Sequence, residues 1–452
     1  MSKTSETLSG PEVGLDGFHS WWRERNEAHR FTVSRIPFDE FTHWSVDPAS
    51  GDIRHDSGRF FTVEGLRVRS ERGPVSSWSQ PIINQPEIGI LGILVKRFHG
   101  VPHYLLQCKM EPGNVNVLQL SPTVQATRSN YTRAHRGGHV AYLDYFVKPR
   151  PGRVLVDVLQ SEHGSWFLRK RNRNMVVEVD EDVPVGENFH WLTAEQIGAL
   201  LRIDNLVNMD ARTVLSCLPL PLAPGFEPTV PALRAAAPGT GADTELHSWF
   251  TEICASHSVA TESIPLAEVD RWERGPDEIR HEAGHHFKVV AVSVEAATRE
   301  VHRWTQPLFQ PCGIGVVAFL LRRVAGEVQV LAHARAEPGF VDVVEIGPTV
   351  QYQPSSYPTG APPFADVVAR APAHRFLYDT VLSEEGGRFL NAENRYAVLE
   401  IDENDPGVPD ELPEDYRWLT LSQLTGLLAH RNYVNVQART LVSAMRLTLG
   451  LS

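Results

Sequence analysis

Two long stretches of this sequence are copies of each other, separated by a constant offset of 226 residues. Trp78-Ser79-Gln80-Pro81 recurs as Trp304-Thr305-Gln306-Pro307, and Pro122-Thr123-Val124-Gln125 recurs as Pro348-Thr349-Val350-Gln351. From Ile53 to Tyr131, 28 of 79 positions are identical in the second copy without a gap. Because a repeat of this length is a whole domain, the chain is predicted to be a tandem duplication rather than a solenoid of short units.

The match continues towards the carboxyl end with small gaps, so that Ser161-Glu162 corresponds to Ser383-Glu384. The copies are predicted to span residues 18–218 and 245–448. Residues 219–244 between them contain six prolines, which is typical of an extended linker crossing the surface.

Each copy has the pattern of an α+β domain, with a mixed sheet and flanking helices. An amphipathic helix is predicted at the start of each copy, and Thr193 is a predicted helix cap followed by a second helical candidate. The predicted helices cover residues 19–29, 194–201, 207–218 and 246–256. Alternating or apolar runs predict strands at residues 60–68, 88–97, 104–110, 114–120 and 175–179. Residues 154–158 fit either a helix or a strand.

The composition is that of an ordinary globular protein, with a net charge of −12. This acidic balance gives no electrostatic reason to expect binding to nucleic acid or anionic lipid. The sequence contains no run of about 18 apolar residues, and its amino-terminal segment is polar, so we expect a soluble cytoplasmic protein. The four scattered cysteines lack the spacing of a zinc site and are expected to be buried thiols in a reducing compartment.

The patterns of several common active sites are absent from the sequence. There is no GxGxxG after a strand, no GxxxxGK[ST], no GxSxG and no HExxH. Dinucleotide binding, P-loop hydrolysis and zinc-protease chemistry are therefore not expected, and the prediction includes neither a cofactor nor a metal site.

Two polar runs are the candidate ligand-binding segments. Residues 121–138 follow a strand and offer hydroxyls, amides, three arginines and a tyrosine, a set that can hold a sugar and a diphosphate. Residues 159–174 end in a cationic stretch that fits a diphosphate clamp. The alternative is that both runs are solvated loops. Trp44 and, less favourably, Trp78 could stack on a nucleobase, although core packing is the usual role of tryptophan.

Several phrases of the sequence resemble the NDP-hexose 2,3-dehydratase family of deoxysugar biosynthesis. They are Trp78-Ser79-Gln80-Pro81, Glu111-Pro112-Gly113-Asn114, residues 121–131, residues 160–175 and Asn205-Leu206-Val207-Asn208-Met209-Asp210. The resemblance covers nearly the whole chain, including the duplication. It implies a Nudix-like fold in each half, a homodimer, and two nucleotide-sugar pockets per chain, one catalytic and one a relic of the duplication. It also implies dTDP-4-keto-6-deoxy-D-glucose as the substrate and a ketoreductase as the next enzyme.

The reaction implied by the resemblance is elimination of water across carbons 2 and 3 of the sugar. The 4-ketone acidifies the proton on carbon 3, a general base removes it, and a general acid protonates the leaving hydroxyl of carbon 2. The resulting enol tautomerises to a 3,4-diketone, and no redox cofactor is needed. Because the Nudix box with its magnesium-binding carboxylates is absent, pyrophosphate hydrolysis is doubtful. A divergent metal-dependent Nudix nucleotide-sugar hydrolase and a non-catalytic nucleotide-sugar-binding protein are the alternatives.

Residues that differ between the copies are the candidates for chemistry, because residues kept in both serve the fold or nucleotide binding. The active pocket is predicted to be built mainly by the first copy, since Arg128, Asn130, His135, His163, Lys170 and Arg171 occur there alone. Tyr131 is the first choice for the general acid, because a tyrosine hydroxyl with an ordinary pKa of about 10 suits a proton donor. Glu111 and His135 are the candidate bases, with a structural strand-end carboxylate as the alternative for Glu111.

Two sets of residues are predicted to contact ligands. The substrate-binding set is Trp44, Thr127, Arg128, Ser129, Asn130, Tyr131, Ser165, Lys170 and Arg173. The set expected in the relic pocket is Trp272, Ser355, Ser356, Tyr357 and Arg388.

Overall fold

Each repeat builds a seven-stranded mixed sheet and contributes to a five-stranded antiparallel sheet. The computed structural model describes residues 14–73, 75–127, 140–147, 151–219, 240–296, 302–356 and 360–451. Strands predominate over helices in both halves, and within the described residues the order of strands is the same in the two halves. The protein is thus a mixed α/β structure, mostly sheet with few helices, in two similar halves, as the sequence repeat predicts.

Within the described residues, the elements follow the same order in each repeat except for one additional helix, Ala365–Arg370, in the second. In the first repeat they are α1 Asp16–Ala28, β1 Phe31–Ile36, β2 Trp44–Val46, β3 Ile53–His55, β4 Thr62–Ser70, β5 Ser77–Asn84, β6 Gly89–Phe98, β7 Val101–Met110, β8 Leu118–Pro122, β9 Val124–Ala126, β10 Arg153–Ser161, β11 Arg171–Glu178, β12 Phe189–Thr193, α2 Ala194–Leu200 and α3 Met209–Ser216. In the second they are α4 Thr240–Ser256, β13 Val259–Ile264, β14 Trp272–Arg274, β15 Glu278–His281, β16 Phe287–Ala296, β17 Arg303–Pro311, β18 Gly315–Val324, β19 Glu327–Ala336, β20 Val344–Gly347, β21 Val350–Tyr352, α5 Ala365–Arg370, β22 Phe376–Ser383, β23 Glu393–Glu400, β24 Tyr416–Thr420, α6 Leu421–Leu427 and α7 Val436–Thr448.

The seven-stranded sheets contain one parallel pair each. In the first half the order is β10-β11-β6-β7-β12, with β8 on β7 and β9 on β6, and the parallel pair is β6 with β11. In the second half β18 and β23 form the equivalent pair. Strand β6 is apolar at successive positions because Leu91 and Ile93 pack into one core cluster while Ile90 and Leu94 pack into another. A strand covered on both faces reads as a continuous apolar run.

The two repeats exchange a strand. Strand β1 of the first repeat pairs antiparallel with β16 of the second, over Phe31–Ile36. Strand β13 of the second repeat pairs in the same way with β4 of the first, over Val259–Ile264. Each five-stranded sheet is therefore completed by the other repeat, so the two copies are interlocked even though they are sequential in the chain.

Two fully buried arginines join the halves at helices α3 and α7. Arg212 donates from Nη2 to Ser383 O at 2.7 Å, and Arg439 donates from Nη2 to Ser161 O at 2.5 Å. Each Nε also donates to a threonine hydroxyl of the opposite helix. A buried guanidinium is costly unless its donors are satisfied. The repeated phrase Ala-Arg-Thr is therefore explained by a structural role at the interface.

Most predicted elements are present with shifted ends. The strands predicted at 88–97 and 104–110 are confirmed as β6 and β7, and residues 154–158 belong to strand β10. The strand predicted at 114–120 begins only at Leu118, because the preceding Glu-Pro-Gly segment forms a hydrogen-bonded turn. Thr193 caps α2 through a capping box with Gln196, as predicted.

Helix α4 begins at Thr240, inside the stretch predicted as linker, whereas residues 220–239 lie outside the described residues. Of the four cysteines, Cys108 is buried and the other three are half-buried thiols. Among the helices in the described ranges, none is both long enough and apolar enough to span a bilayer.

Candidate active site

In each repeat, one loop packs against the Glu-Pro-Gly turn of the other repeat. The first crossing loop, residues 162–170, packs on the turn at Gly339, and the second crossing loop, residues 384–392, packs on the turn at Gly113. Backbone hydrogen bonds of 2.7 Å tie each loop to its turn. A methyl group on Gly113 would lie 1.6 Å from the carbonyl oxygen of Phe389, so only glycine fits there. Polar residues of both repeats consequently meet at two places in the molecule.

The repeated phrase Trp-x-Gln-Pro anchors the crossing loops. Trp78 Nε1 donates to Gln80 Oε1 at 3.0 Å, and Gln80 Nε2 donates to Ser165 O in the first crossing loop at 2.7 Å. In the second repeat the same pair of bonds reaches Gly387 O in the second crossing loop. The phrase is therefore shared by the repeats because it holds the loops. Ser165, predicted to bind substrate, has its carbonyl engaged in this contact.

The glutamate of each Glu-Pro-Gly turn is held in the same way in both halves. Glu111 Oε1 accepts hydrogen bonds from Lys109 Nζ at 3.0 Å and from Gln125 Nε2 at 2.8 Å. Glu337 Oε1 accepts from Arg335 and Gln351 at 2.8 Å and 3.0 Å. The second carboxylate oxygen of each is buried and has no hydrogen-bond partner among the described residues. The duplicated bonds support the structural alternative that the sequence left open for Glu111.

We define two clusters around these glutamates. The first site comprises Lys109, Glu111, Gln125, Glu162, Lys170, Asp210, Glu385 and Arg388. The second site comprises the counterparts at the same positions of the repeat, which are Arg335, Glu337, Gln351, Glu384, Ala392, Gln437, His163 and Trp166.

The second crossing loop brings Glu385 and Arg388 into the first site. A methyl group on Gly387 would lie 3.2 Å from Glu385 Oε1 and 3.6 Å from Glu111 Oε1, so the loop runs directly past Glu111. Arg388 Nε donates to Gln85 Oε1 at 3.0 Å, and its guanidinium lies 4.3 Å from the ring centre of Phe61. Arg388 was predicted for the relic pocket on the assumption that each repeat lines its own pocket. Because the loops cross, it lies in the first site instead.

Three carboxyl groups of the first site are held in conditions that favour protonation. Glu162 and Asp210 are 2% and 3% exposed, and one oxygen of each has no hydrogen-bond partner among the described residues. Burial raises the pKa of Glu162, and burial together with nearby carboxylates raises the pKa of Asp210 well above its ordinary value. Burial, Glu162 and Glu111 raise the pKa of Glu385 to about 7, against the opposing effect of Arg388 and Lys170.

Lys170 completes the first site from the first crossing loop. Its ammonium donates a hydrogen bond to the backbone carbonyl of Glu87, and its side chain is buried. Burial lowers the pKa of Lys170 to about 8. A cluster of carboxyl and amino groups whose pKa values are displaced towards neutrality is typical of acid–base catalysis.

In the second site the equivalent groups are paired or apolar. His163 Nε2 lies 2.9 Å from Glu384 Oε2, both residues are buried, and the imidazole stacks on Trp166. Against the effect of burial, Glu384 holds the pKa of His163 above its ordinary value. His163 in turn brings the pKa of Glu384 down to about 2. Trp166, which occupies the position equivalent to Arg388, packs on Phe389. Ala392 occupies the position equivalent to Lys170.

Trp44, predicted to stack on a base, and Trp272, predicted for the relic pocket, lie in one apolar core cluster. Trp44 is 7% exposed and packs against Phe61, with 4.8 Å between ring centres. Trp272 packs against Phe287 at the same distance of 4.8 Å and donates from Nε1 to Ser79 O. Their contacts in the structure are therefore those of core residues.

Several other residues predicted to contact ligand form ion pairs or hydrogen bonds with other protein groups. Arg173 forms a bidentate ion pair with Asp157, and Arg395 repeats this pair with Asp379, so both arginines are bound to the sheet. Ser355 Oγ donates to Cys312 O, and Ser356 Oγ accepts the N–H of His286. Thr127 follows strand β9 directly. The remaining predicted site residues lie outside the described residues: Arg128, Ser129, Asn130, Tyr131, His135 and Tyr357.

Sequence reasoning missed Glu162, Asp210 and Glu385. The signal was present, because Asp210 and Glu385 occur at positions where the other repeat has Gln437 and His163. Assigning them to one site requires knowing that the loops cross, which a comparison of the copies alone does not provide.

Comparison with known proteins gives one family over both halves. The family model described as NDP-hexose 2,3-dehydratase matches residues 15–218 and again residues 243–445. Three relatives carry the name dTDP-4-dehydro-6-deoxy-alpha-D-glucopyranose 2,3-dehydratase. The protein from Streptomyces violaceoruber is 52% identical over 95% of this chain and 96% of its own length. Those from Saccharopolyspora spinosa and Amycolatopsis orientalis are 50% and 48% identical, over 95% and 98% of this chain and 90% and 93% of their own.

Proposed function

The chain belongs to the NDP-hexose 2,3-dehydratase family, and from this premise we propose that it removes water across carbons 2 and 3 of dTDP-4-keto-6-deoxy-D-glucose. The product is a 3,4-diketo-2,6-dideoxyhexose bound to dTDP. The enzyme is a carbon–oxygen lyase of deoxysugar biosynthesis. The reaction is an acid–base elimination, so the chain needs groups that can hold and release protons near neutral pH.

The observation that supports the first site as the active one is that its ionisable groups have displaced pKa values, whereas the equivalent groups of the second site are paired or absent. Glu162, Asp210 and Glu385 have raised pKa values, and Lys170 has a lowered one. Enzymes that move protons at neutral pH use groups with pKa values displaced in this way. In the second site the corresponding positions hold an ion pair, a glutamine and an alanine. We assign the second site to a relic pocket.

Within the first site, the base candidates from the sequence are Glu111 and His135, and the acid candidate is Tyr131. Thr127, Arg128, Ser129, Asn130, Tyr131 and Lys170 are proposed to line the nucleotide sugar, with Trp44, Ser165 and Arg173 as further candidates. For the relic pocket the proposed set is Trp272, Ser355, Ser356 and Tyr357. The described bonds of Trp44 and Arg173 favour a structural role for these two residues.

The finer identity of the fold and assembly also belongs to this proposal. A mixed sheet with one parallel pair in each half is compatible with a Nudix-like domain. The family resemblance further suggests a homodimer in the cytoplasm and a ketoreductase that consumes the unstable diketone.

The test is incubation of the purified full chain with dTDP-4-keto-6-deoxy-D-glucose, followed by mass spectrometry. Loss of one water from the sugar nucleotide is the expected result. Release of dTMP in the presence of magnesium would instead support the hydrolase alternative. Binding of the substrate without any product would support the non-catalytic alternative.

A further inference from the structure

We propose that Glu385, which the second repeat contributes to the first site, is the general base that removes the proton from carbon 3 of the sugar. The inference rests on the proposed dehydration. It means that the active pocket is composite, with its base supplied by the repeat whose own site is the relic.

The Glu385 carboxylate differs from its counterpart in the second site in its contacts. It has no side-chain hydrogen bond and no ion pair with a described residue, although Arg388 and Lys170 are close enough to affect its pKa. As a residue Glu385 is half-buried, whereas Glu162 and Asp210 are buried. The counterpart of Glu385, His163, is fixed by Glu384 at 2.9 Å and stacked on Trp166. The same position of the crossing loop is therefore fixed in one site and free in the other.

Other carboxyl groups of the first site affect the pKa of Glu385. Burial, Glu162 and Glu111 raise the pKa of Glu385 to about 7, where a carboxylate is a stronger base than in water and is still partly ionised at neutral pH. Glu162 Oε2 and Asp210 Oδ1 are deeply buried and have no partner among the described residues. Among the charged neighbours, Glu385 has the largest effect on the pKa of Asp210, and Glu162 in turn raises the pKa of Glu385. The unpartnered oxygens are suited to accept hydrogen bonds from the hydroxyls of a sugar.

Glu111 is a poorer candidate for the base than Glu385. Glu111 and Glu337 make equivalent bonds to a cation and a glutamine in both halves. A residue with the same contacts in the active and the relic site has a role in the frame common to both. Glu385 has no such duplicate, because the equivalent position is His163.

The chemical step balances without an external reagent. The Glu385 carboxylate takes the proton of carbon 3, and the electrons of that bond pass into the enolate at the carbon-4 oxygen. The enolate then re-forms the ketone as the double bond between carbons 2 and 3 forms and the bond from carbon 2 to its hydroxyl breaks. The hydroxyl leaves as water with a proton from the general acid, for which Tyr131 is the candidate. Lys170 and Arg388 supply positive charge beside the developing enolate.

The base step can be isolated with dTDP-4-keto-2,6-dideoxyglucose, which lacks the leaving hydroxyl. In deuterium oxide the wild-type protein is expected to exchange the single carbon-3 proton for deuterium, observed by NMR. Glu385→Gln should lower the rates of both exchange and dehydration by at least about a hundredfold. Exchange by Glu385→Gln at more than about a tenth of the wild-type rate would overturn the inference. Glu411→Gln, at an exposed glutamate, is the matched control and should behave as wild type.

Two further measurements separate a catalytic role from a structural one. Glu385→Gln should keep the wild-type melting temperature or exceed it, and should bind dTDP with unchanged affinity in calorimetry. The wild-type turnover should fall as pH drops below about 7, and Glu385→Asp should keep such a limb with a lower plateau. A wild-type profile that is flat down to about pH 5 would refute the base assignment even if the glutamine variant misfolds. If the wild-type protein neither exchanges nor dehydrates, the proposed function itself fails.

Discussion

The first and second sites share a frame but differ in how their charges are satisfied. In both, a glutamate of a Glu-Pro-Gly turn is bound by a cation and a glutamine, and a crossing loop packs on the turn. In the second site His163 and Glu384 neutralise each other. In the first site the equivalent positions hold Glu385 and Glu162, two carboxyl groups whose pKa values are both raised.

The difference shows how a duplication can divide structure from chemistry. A buried ion pair with good geometry is inert, whereas two carboxyl groups in one buried cluster cannot both ionise freely and so retain a proton near neutrality. Such a cluster costs stability in the folded protein, and natural proteins keep costly arrangements of this kind at functional sites.

The largest effect is expected where the frame has no space. Gly113→Ala would place a methyl group 1.6 Å from Phe389 O, and Gly339→Ala would place one 1.9 Å from Phe167 O. Each change should lower the free energy of unfolding by at least about 4 kcal/mol, measured by urea denaturation, because a backbone atom must move. Gly426→Ala in helix α6 has no atom within 4 Å and is the control. It should be neutral or stabilising by about 1 kcal/mol. A mild effect at Gly113 would show that the crossing loop is not held by this contact.

The next largest effect is expected in the second site, where the carboxylate of Glu384 is paired with His163. His163→Gln leaves Glu384 buried without its partner and should cost about 3 kcal/mol near pH 6. Because the pKa of Glu384 is lowered to about 2, this stabilisation is present above its ordinary pKa and is lost as pH falls towards about 2.

Glu385→Gln should have the opposite sign. The pKa of Glu385 is raised to about 7, so the wild-type protein loses stability as pH rises from the ordinary glutamate pKa through about 7. The glutamine variant should therefore gain about 1 kcal/mol near pH 8 and nothing near pH 4. Thermal unfolding scans at both pH values provide the measurement. A Glu385→Gln protein that is destabilised near pH 8 would contradict the unpaired state of this carboxyl.

A third comparison concerns the two equivalent tyrosines of the polar loops. Tyr131→Phe should lower turnover at least about tenfold, the low end of the cost of removing a general acid. Tyr357→Phe should be close to wild type, because it belongs to the repeat with the relic site. Turnover of dTDP-4-keto-6-deoxy-D-glucose by the two purified variants is the measurement. If Tyr357→Phe is the impaired one, the two sites have been assigned in the wrong order.

The sequence predicted the duplication, the mixed class and several strands, because these depend on periodicity and on long repeated phrases. It did not predict the exchange of β1 and β13, since the sequence of an edge strand does not indicate which sheet the strand joins. Arg388 was predicted for the relic pocket because the sequence likewise does not indicate that the loops cross. Which repeat lines which site is set by the Gly113 and Gly339 contacts, and these are long-range packing. The comparison of the copies nevertheless contained Glu385 as one of the unequal positions.

The smallest effect tests whether Glu111 acts on Glu385 through its charge. Glu111→Gln and Glu337→Gln remove equivalent carboxylates, so both should lower stability by a similar amount, about 1 kcal/mol. Of these two glutamates, Glu111 is the one that raises the pKa of Glu385. Its removal should lower that pKa and move the acidic limb of the turnover profile to lower pH by about half a unit. Glu337→Gln should leave the limb in place. Because both variants lose the same kind of bonds, a shift shared by both would show that the limb reports the frame rather than Glu385, and its absence in Glu111→Gln would separate Glu111 from the base.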